Sequence, residues 1–551
     1  MKNAHAQVFN NPLPSKGVAQ KKFILVIDEG TTGVRALVLD KKINIVSKAY
    51  RELNVLHPKP CWVEQDPMQI WERTLEVVRE ALAVAKVDAK DIAAIGITNQ
   101  RGTSVLWDKR TGKPVCNALT WQDNRATELA WRLNGLAKIR LFRLVGRLVL
   151  TFSKVFKPLR YSKRGKFFVT LSNLRLSPLY MGVQLRWMLD NLKGVRARAQ
   201  KGDLLAGTID TWLIWKLTGG KVHATDYSNV SATYLFDPYA LEWSNVLLDI
   251  FTIPKALLPD IRASSDDYGT TSPGLFGTPV PIRGVIADQQ SALFGETCFE
   301  PGEVKLTNGT GTFIDMNVGS EPIASTHGLV PLVAWKLGNE VTYAIEGFIN
   351  TTGAAVQWLK DNAELIKTSD ESETLAQSVP DTQDVYFVPA FTGLSSPFWD
   401  PHARGTVVGL TRGTTRAHLV RAALEGIGYR CRDILDAMTE DTRLRPKIIR
   451  ADGGASRNNF LLQFITDLLN VKVVRPQNLE STALGAAFMA GLHVKYWSSL
   501  DELRRLRTVD RTFKPKMGAE QREKLYARWI HAVERAGGWA REDTQCEMRT
   551  G

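Results

Sequence analysis

Phe23-Ile24-Leu25-Val26-Ile27-Asp28-Glu29-Gly30-Thr31-Thr32-Gly33-Val34-Arg35-Ala36-Leu37-Val38-Leu39 reads as two short apolar runs joined by a Gly/Thr turn. The first run stops at the charged Asp28 and has the length and apolar content of a buried strand. The second, Arg35 to Leu39, is its returning partner, so the stretch predicts a β-hairpin. Glycines let backbone N–H groups close around phosphate oxygens, and threonine hydroxyls add donors without charge. Asp28 has two readings: a carboxylate placed to hold Mg²⁺, or an ordinary turn-initiating aspartate.

Working outward, the layout recurs. Gly302 to Leu306 reads as a strand, Asn308-Gly309-Thr310-Gly311-Thr312 as a second Gly/Thr turn, and Phe313 to Met316 as the return. Residues near Gly295 to Pro301 are the expected crossover between halves. A third turn, Asp452-Gly453-Gly454-Ala455, follows a strand at Lys447–Arg450 and leads into a helix from Asn458, whose N-terminus favours anions. Two halves of this kind predict one nucleotide held between them.

Other signals fill the first half. Asp66 caps a helix with Pro67 in its first turn and Gln69 at its third position, running to about Val87. Ile92 to Thr98 is a strand ended by Asn99-Gln100-Arg101-Gly102. Gly207 to Trp212 leads into a helix ending near Leu217. Asp288 follows the apolar Val285-Ile286-Ala287 and precedes Gln289-Gln290. It reads either as a proton acceptor beside hydroxyl-binding amides or as a helix N-cap.

Length and composition bound the class. At 551 residues the chain exceeds one ordinary core, and 44% hydrophobic with 23% charged residues predicts packed domains. The polar stretch to Gln20 lacks the apolar core of a secretory signal. No apolar run approaches the roughly 18 residues of a spanning helix, so no span is expected, and the cysteine usage points to a reducing, cytoplasmic compartment. Cys61, Cys116, Cys298, Cys431 and Cys546 are scattered with no CxxC pair, against a zinc site or disulfide framework.

The net charge of +14 is one segment's property. Residues 136–175 hold eleven Lys or Arg and no Asp or Glu, and without them the charge is +3. Read as a helix, this segment places Arg140, Arg143, Arg147 and Lys154 on one stripe. Phe142, Val145, Val149, Phe152 and Phe156 fall off it. Two readings stand: an insertion packed on the first domain with a solvated basic face, or a basic amphipathic helix on an anionic membrane surface. No nucleic-acid motif accompanies the charge, so nucleic-acid binding is not expected.

Several motifs together resemble the glycerol kinases of the FGGY group of carbohydrate kinases. They are Asp28-Glu29-Gly30-Thr31-Thr32, Gly96-Ile97-Thr98-Asn99-Gln100-Arg101, Gly207 to Lys216, Ala287-Asp288-Gln289-Gln290, Gly309-Thr310-Gly311 and Asp452-Gly453-Gly454-Ala455. Gly405 to Leu410, with His418-Leu419 and Ala422-Ala423-Leu424-Glu425, is similar to that group's second signature. The likeness runs from about Phe23 to Trp539.

The resemblance implies an α/β, actin-like (ribonuclease-H-like) ATPase fold in two domains with an interdomain cleft. The expected domains are 21–297, including the basic insertion 136–178, and 298–540, with tails at 1–20 and 541–551. It implies ATP and Mg²⁺ as cofactors and phosphorylation of glycerol to sn-glycerol 3-phosphate. Asp28 and Asp288 would sit at the metal. Thr31, Thr32 and Arg35 would face the phosphates, and Thr310, Gly353, Gly454 and Asn458 the nucleotide. Arg101, Asp288 and Gln289 would hold the polyol hydroxyls, Trp121 and Phe313 would flank its carbons, and Asp288 would be the general base. A homodimer is a further implication.

The sequence also departs from that pattern. The Glu that follows the substrate-site Arg is here Gly102. The substrate-binding Tyr aligns with Leu179, with Tyr180 one residue on. The Lys of the first signature is Gln184. Each lost substrate hydrogen bond costs on the order of 0.5–3 kcal/mol, which leaves room for another small polyol, or for a weakly active kinase-fold regulator of lipid metabolism. The rewritten basic segment, with Trp121 to Ala126 before it, most resembles the animal branch called glycerol kinase 5.

Overall fold

In the computed structural model, which describes residues 21–152, 162–172 and 175–540, the opening hairpin is the antiparallel pair Phe23–Glu29 and Gly33–Leu39. Both strands are buried almost throughout, because the sheet is covered on both faces. The tail to Gln20, the tail from Arg541 with Cys546, and Lys154, Phe156, Lys157 and Arg160 of the basic segment lie outside the described residues.

Two compact units divide the chain. The first holds the described residues up to Gly295, with Val333–Thr342 and Thr482–Leu506; the remainder form the second. The chain leaves the first unit after Gly295, and two later segments pack with that unit.

The sheet of the first unit runs Ile45–Glu52, Gly33–Leu39, Phe23–Glu29, Ile92–Asn99, Ile282–Ala287. The first three strands are antiparallel neighbours and the last three parallel ones. The sheet of the second unit includes Glu340–Ile349, Thr312–Gly319, Glu303–Asn308, Ile448–Asp452 and Val473–Pro476, in that order. It repeats the pattern: an antiparallel meander on one side of the hairpin strand, two parallel strands on the other. Each unit is therefore a Gly/Thr hairpin elaborated in the same way.

Local chemistry places the covering helices. Asp66 accepts from the Met68 N–H and starts the helix Pro67–Ala85, with Ile70, Trp71, Val77, Val78 and Ala81 turned inward. Gln69 does not complete a capping box; its Oε1 accepts from the Asn54 N–H at 2.8 Å and ties the helix to the neighbouring loop. The indole of Trp212, on the helix Ile209–Leu217, donates to the Pro67 carbonyl at 2.9 Å and packs edge-on against Trp107. In the second unit the longest helix, Arg416–Thr442, begins with a reciprocal cap between Thr415 and His418.

The basic segment keeps part of the expected stripe, with Arg140 and Arg147 exposed. The helix Ala137–Phe152 buries Ile139, Gly146 and Val149, and Arg143 bends back to Asn134, its guanidinium donating to Oδ1 at 2.6 Å. Phe152 faces outward, together with leucines. Among the described residues no helix is long and apolar enough to cross a membrane.

Candidate active site

Three parallel strands end side by side in the first unit. Asp28 lies opposite Thr98, Glu29 opposite Asn99, and Ala287 opposite Asn99. This register sets Asp28, Arg101 and Asp288 at one edge, outside the carboxyl ends of the strands, where open α/β sheets take their ligands.

The residues at that edge hold one another. Arg35 is the cross-strand neighbour of Asp28, and its Nε donates to Asp28 Oδ2 at 2.7 Å. Arg101 Nε stands 3.3 Å from Asp288 Oδ1, both side chains being mostly covered. Asp288 is the first residue of the helix Asp288–Gly295, and its Oδ1 accepts from the Gln289 N–H at 2.7 Å. The helix N-terminus thus stabilises its negative charge. The Trp121 indole donates to Thr31 Oγ1 at 2.9 Å, joining the wall residue to the Gly/Thr turn. In that turn Gln65 donates to the Thr31 carbonyl at 2.8 Å and the Leu53 N–H to the Thr32 carbonyl at 3.0 Å. The Gly30–Gly33 loop is thereby pinned from two sides.

Behind this edge lies a polar layer that sequence reading did not find. Glu29 is fully buried; burial, with Asp28 and Asp288 nearby, pushes its carboxyl well above the usual range. Gln100 Nε2 bridges Glu29 Oε1 at 3.0 Å and Gln65 Oε1 at 2.9 Å. Asp226 accepts from Ser228, Asn229 and Ser264, and the Ser228 hydroxyl in turn accepts from the Ala287 N–H at 2.8 Å. That chain fixes the residue just before Asp288. The members are scattered over strands, a short helix and loops, so only the folded contacts expose their purpose.

The second unit carries its own glycine-lined turn. The strands Glu303–Asn308 and Ile448–Asp452 are parallel, with Thr307 opposite Asp452 and its hydroxyl donating to Asp452 Oδ1 at 2.5 Å. Gly353 opens the helix Gly353–Asp361, and its N–H donates to the Gly309 carbonyl at 3.1 Å. A Cβ on Gly353 would lie 2.5 Å from that oxygen, so no side chain fits. Thr310 is exposed beside it, and Gly454 has open space around it. Asn458 uses Oδ1 to cap the helix Asn459–Leu469 and Nδ2 to reach Ser372. Phe313 stacks on Phe348 at 5.7 Å.

The departures are resolved as well. Gly102 has φ +74°, and a Cβ there would lie 2.8 Å from the Leu179 carbonyl oxygen and 3.2 Å from Trp121 Cβ. Leu179 therefore stands beside Gly102, whereas Tyr180 stacks on Tyr234 at 3.7 Å. Gln184 Nε2 donates to the Thr120 carbonyl at 2.9 Å and its Oε1 accepts from Ser104 at 2.6 Å, holding the strand that leads to Trp121.

Residues 23–160 and 152–295 match the N-terminal domain, and residues 304–494 the C-terminal domain, of the FGGY family of carbohydrate kinases. The chain belongs to that family. The first match is split within the basic segment, where this FGGY chain is rewritten. It is 47% identical over 518 residues to "Glycerol kinase 2" of Thermotoga maritima, covering 94% of this chain and 99% of that protein. It is 46% identical over 521 residues to the glycerol kinase of Caldanaerobacter subterraneus, covering 95% and 100%. Among solved structures, Plasmodium falciparum glycerol kinase with ADP superposes with a TM-score of 0.84 at 34% identity, over 93% of this chain and 98% of that one. A gluconate kinase from Lactobacillus acidophilus gives 0.78 at 22% identity, over 93% and 97%, a likeness of fold. The fold is the two-domain, actin-like arrangement of FGGY kinases.

Proposed function

We propose that this FGGY chain catalyses the ATP-dependent phosphorylation of glycerol to sn-glycerol 3-phosphate. The observation that carries the reading is the convergence of Asp28, Arg101 and Asp288 at the carboxyl ends of three parallel strands, in a chain alike to glycerol kinases over nearly its full length.

Asp288 accepts the proton of a primary hydroxyl, and the alkoxide-like oxygen attacks the γ-phosphorus of ATP in line, with ADP leaving. Arg101 and Gln289 orient the polyol, and Trp121 packs against its carbons. Thr31, Thr32 and Arg35 face the transferring phosphoryl group, with Arg35 released from Asp28 to do so. In the second unit, Thr310 and the N-terminus at Gly353 contact nucleotide phosphate. Gly454 leaves space for the nucleoside, and Asn458 acts through the helix it caps.

Mg²⁺ fits the donor set. Asp28 and Asp288 stand near the same buried Glu29, and among the described residues no cluster of three or more His, Cys, Asp or Glu offers an all-protein cage. Mg²⁺ takes one or two carboxylates plus water and phosphate oxygens in place of an all-protein cage. When bound, it supplies charge neutralisation at the phosphates.

The test is ADP release by purified protein with ATP, Mg²⁺ and a polyol panel. Glycerol-dependent turnover falling about 10²–10⁴-fold in Asp288→Asn is the expected result; equal rates for both proteins would end the proposal. A second reading, a different small polyol, draws on Gly102 lying under Leu179, where a carboxylate side chain has no room. The same panel decides it, by which alcohol gives the highest kcat/KM.

A further inference from the structure

The basic segment carries a surface that phosphoryl transfer does not use. Leu141, Leu144, Leu148 and Phe152 stand three and four residues apart on the helix Ala137–Phe152 and are 55%, 54%, 45% and 61% exposed. At that spacing they form one outward stripe. Isolated exposed leucines are ordinary, but a row of them marks a contact surface.

The opposite side fixes the helix in this rotation. Gly146 sits where it crosses the helix Lys163–Ser172; a Cβ there would lie 2.3 Å from the Phe168 carbonyl oxygen and 2.4 Å from Ser172 Cβ. The Phe142 and Phe168 rings meet beside that crossing, 6.3 Å apart. Rolling the leucines inward would lift Gly146 out of the one gap that only glycine fits.

Charge identifies what covers the stripe. Arg140 and Arg147 are exposed along one side of it, and Lys163 and Arg164 are exposed on the companion helix. Lys138, on the other side, is 3.8 Å from Asp249. No acidic residue occurs from 136 to 175. A second copy docked stripe to stripe would set two such segments against each other without a compensating carboxylate. An anionic lipid surface meets both features, since acyl chains take the apolar row and headgroups the cations.

We propose that the helix Ala137–Phe152 docks this protein on an anionic lipid surface. It lies in the membrane plane, with Leu141, Leu144, Leu148 and Phe152 at the acyl boundary and Arg140 and Arg147 on the headgroups. The inference is independent of the reaction catalysed.

The experiment is co-sedimentation of the full-length protein with phosphatidylcholine vesicles, with and without phosphatidylserine. Binding should require phosphatidylserine and weaken as salt is raised. It should fall at least about tenfold in the double variant Leu144→Ser/Leu148→Ser, and also in Arg140→Gln/Arg147→Gln. These side chains are solvent-facing, so the variants should keep the wild-type melting temperature, which separates a lost surface from a lost fold. Equal binding by the serine variant, equal binding to neutral vesicles, or no binding at all would overturn the proposal. So would a self-associated protein that the serine substitutions convert to monomer, because the stripe would then belong to a second copy.

Discussion

At the scale of the residue, two carboxylates that each follow an apolar run have different surroundings. Asp28 closes an antiparallel turn and is held by Arg35; Asp288 opens a helix and is held by Arg101. Substituting Arg35→Ala leaves the Asp28 carboxylate without its cross-strand partner and removes a phosphate-facing cation. We expect kcat to fall by about 10²-fold or more with a smaller change in KM for glycerol, read from steady-state kinetics. Gly102 gives a contrasting test. Restoring the Glu of related kinases by Gly102→Glu should not improve glycerol binding. Its φ of +74° and the Leu179 carbonyl 2.8 Å from the new Cβ make the change costly. A lower melting temperature and a raised KM are expected; a lowered KM would show that the loop opens to accept the side chain.

At the scale of the element, the strand Ile282–Ala287 delivers Asp288 only because its last N–H is received by Ser228, itself oriented by Asp226 at the start of a five-residue helix. Ser228→Ala should leave a buried N–H without its acceptor, at a cost of about 1–3 kcal/mol. Because Ser228 sits behind the strand end, the variant should lose kcat with the ATP KM little changed, while its melting temperature falls. Loss of stability with kcat intact would mean that the network braces the strand without positioning Asp288. The Asp66 cap is a simpler case. Asp66→Ala should cost about 0.5–2 kcal/mol through the helix Pro67–Ala85, visible as a lower melting temperature with wild-type kinetics.

At the scale of the whole molecule, buried carboxyls in both units tie stability to pH. Asp210, receiving hydroxyls from Thr208 and Thr225, is raised to about 7 by burial, and Glu425 is raised to about 7 for the same reason. Asp452 is raised to about 6 by burial and by Glu296. Each binds its proton more tightly folded than unfolded. Its contribution is therefore complete below the unfolded value, near 4, and is lost as pH rises through 6 to 7. His223, lowered to about 4 by burial, acts oppositely and loses stability as pH falls below its unfolded value. Asp210→Asn should thus melt closer to, or above, the wild type as pH is raised from 5 to 8. Each fully titrating group contributes a slope of up to about 1.4 kcal/mol per pH unit. Parallel melting curves against pH for the two proteins would contradict this assignment.

Hairpins, Gly/Thr turns, the capped helices and the repeat of one layout in two halves were legible from local chemistry alone. Apolar run length, glycine placement and N-cap residues act over a few positions, and the strands Phe23–Glu29 and Glu303–Asn308 lie where those signals put them. The strand register that aligns Asp28, Arg101 and Asp288 was not legible, because it joins segments some 70 and 190 positions apart through parallel pairing. The Glu29–Gln100–Gln65 layer and the Asp226–Ser228–Ala287 chain were hidden for the same reason: a polar letter in a strand does not name its distant partner. The basic helix shows the limit most plainly. Periodicity set its arginines on one stripe, and Arg140 and Arg147 are indeed exposed, but only the close crossing at Gly146 shows that Leu141, Leu144 and Leu148 face solvent beside them.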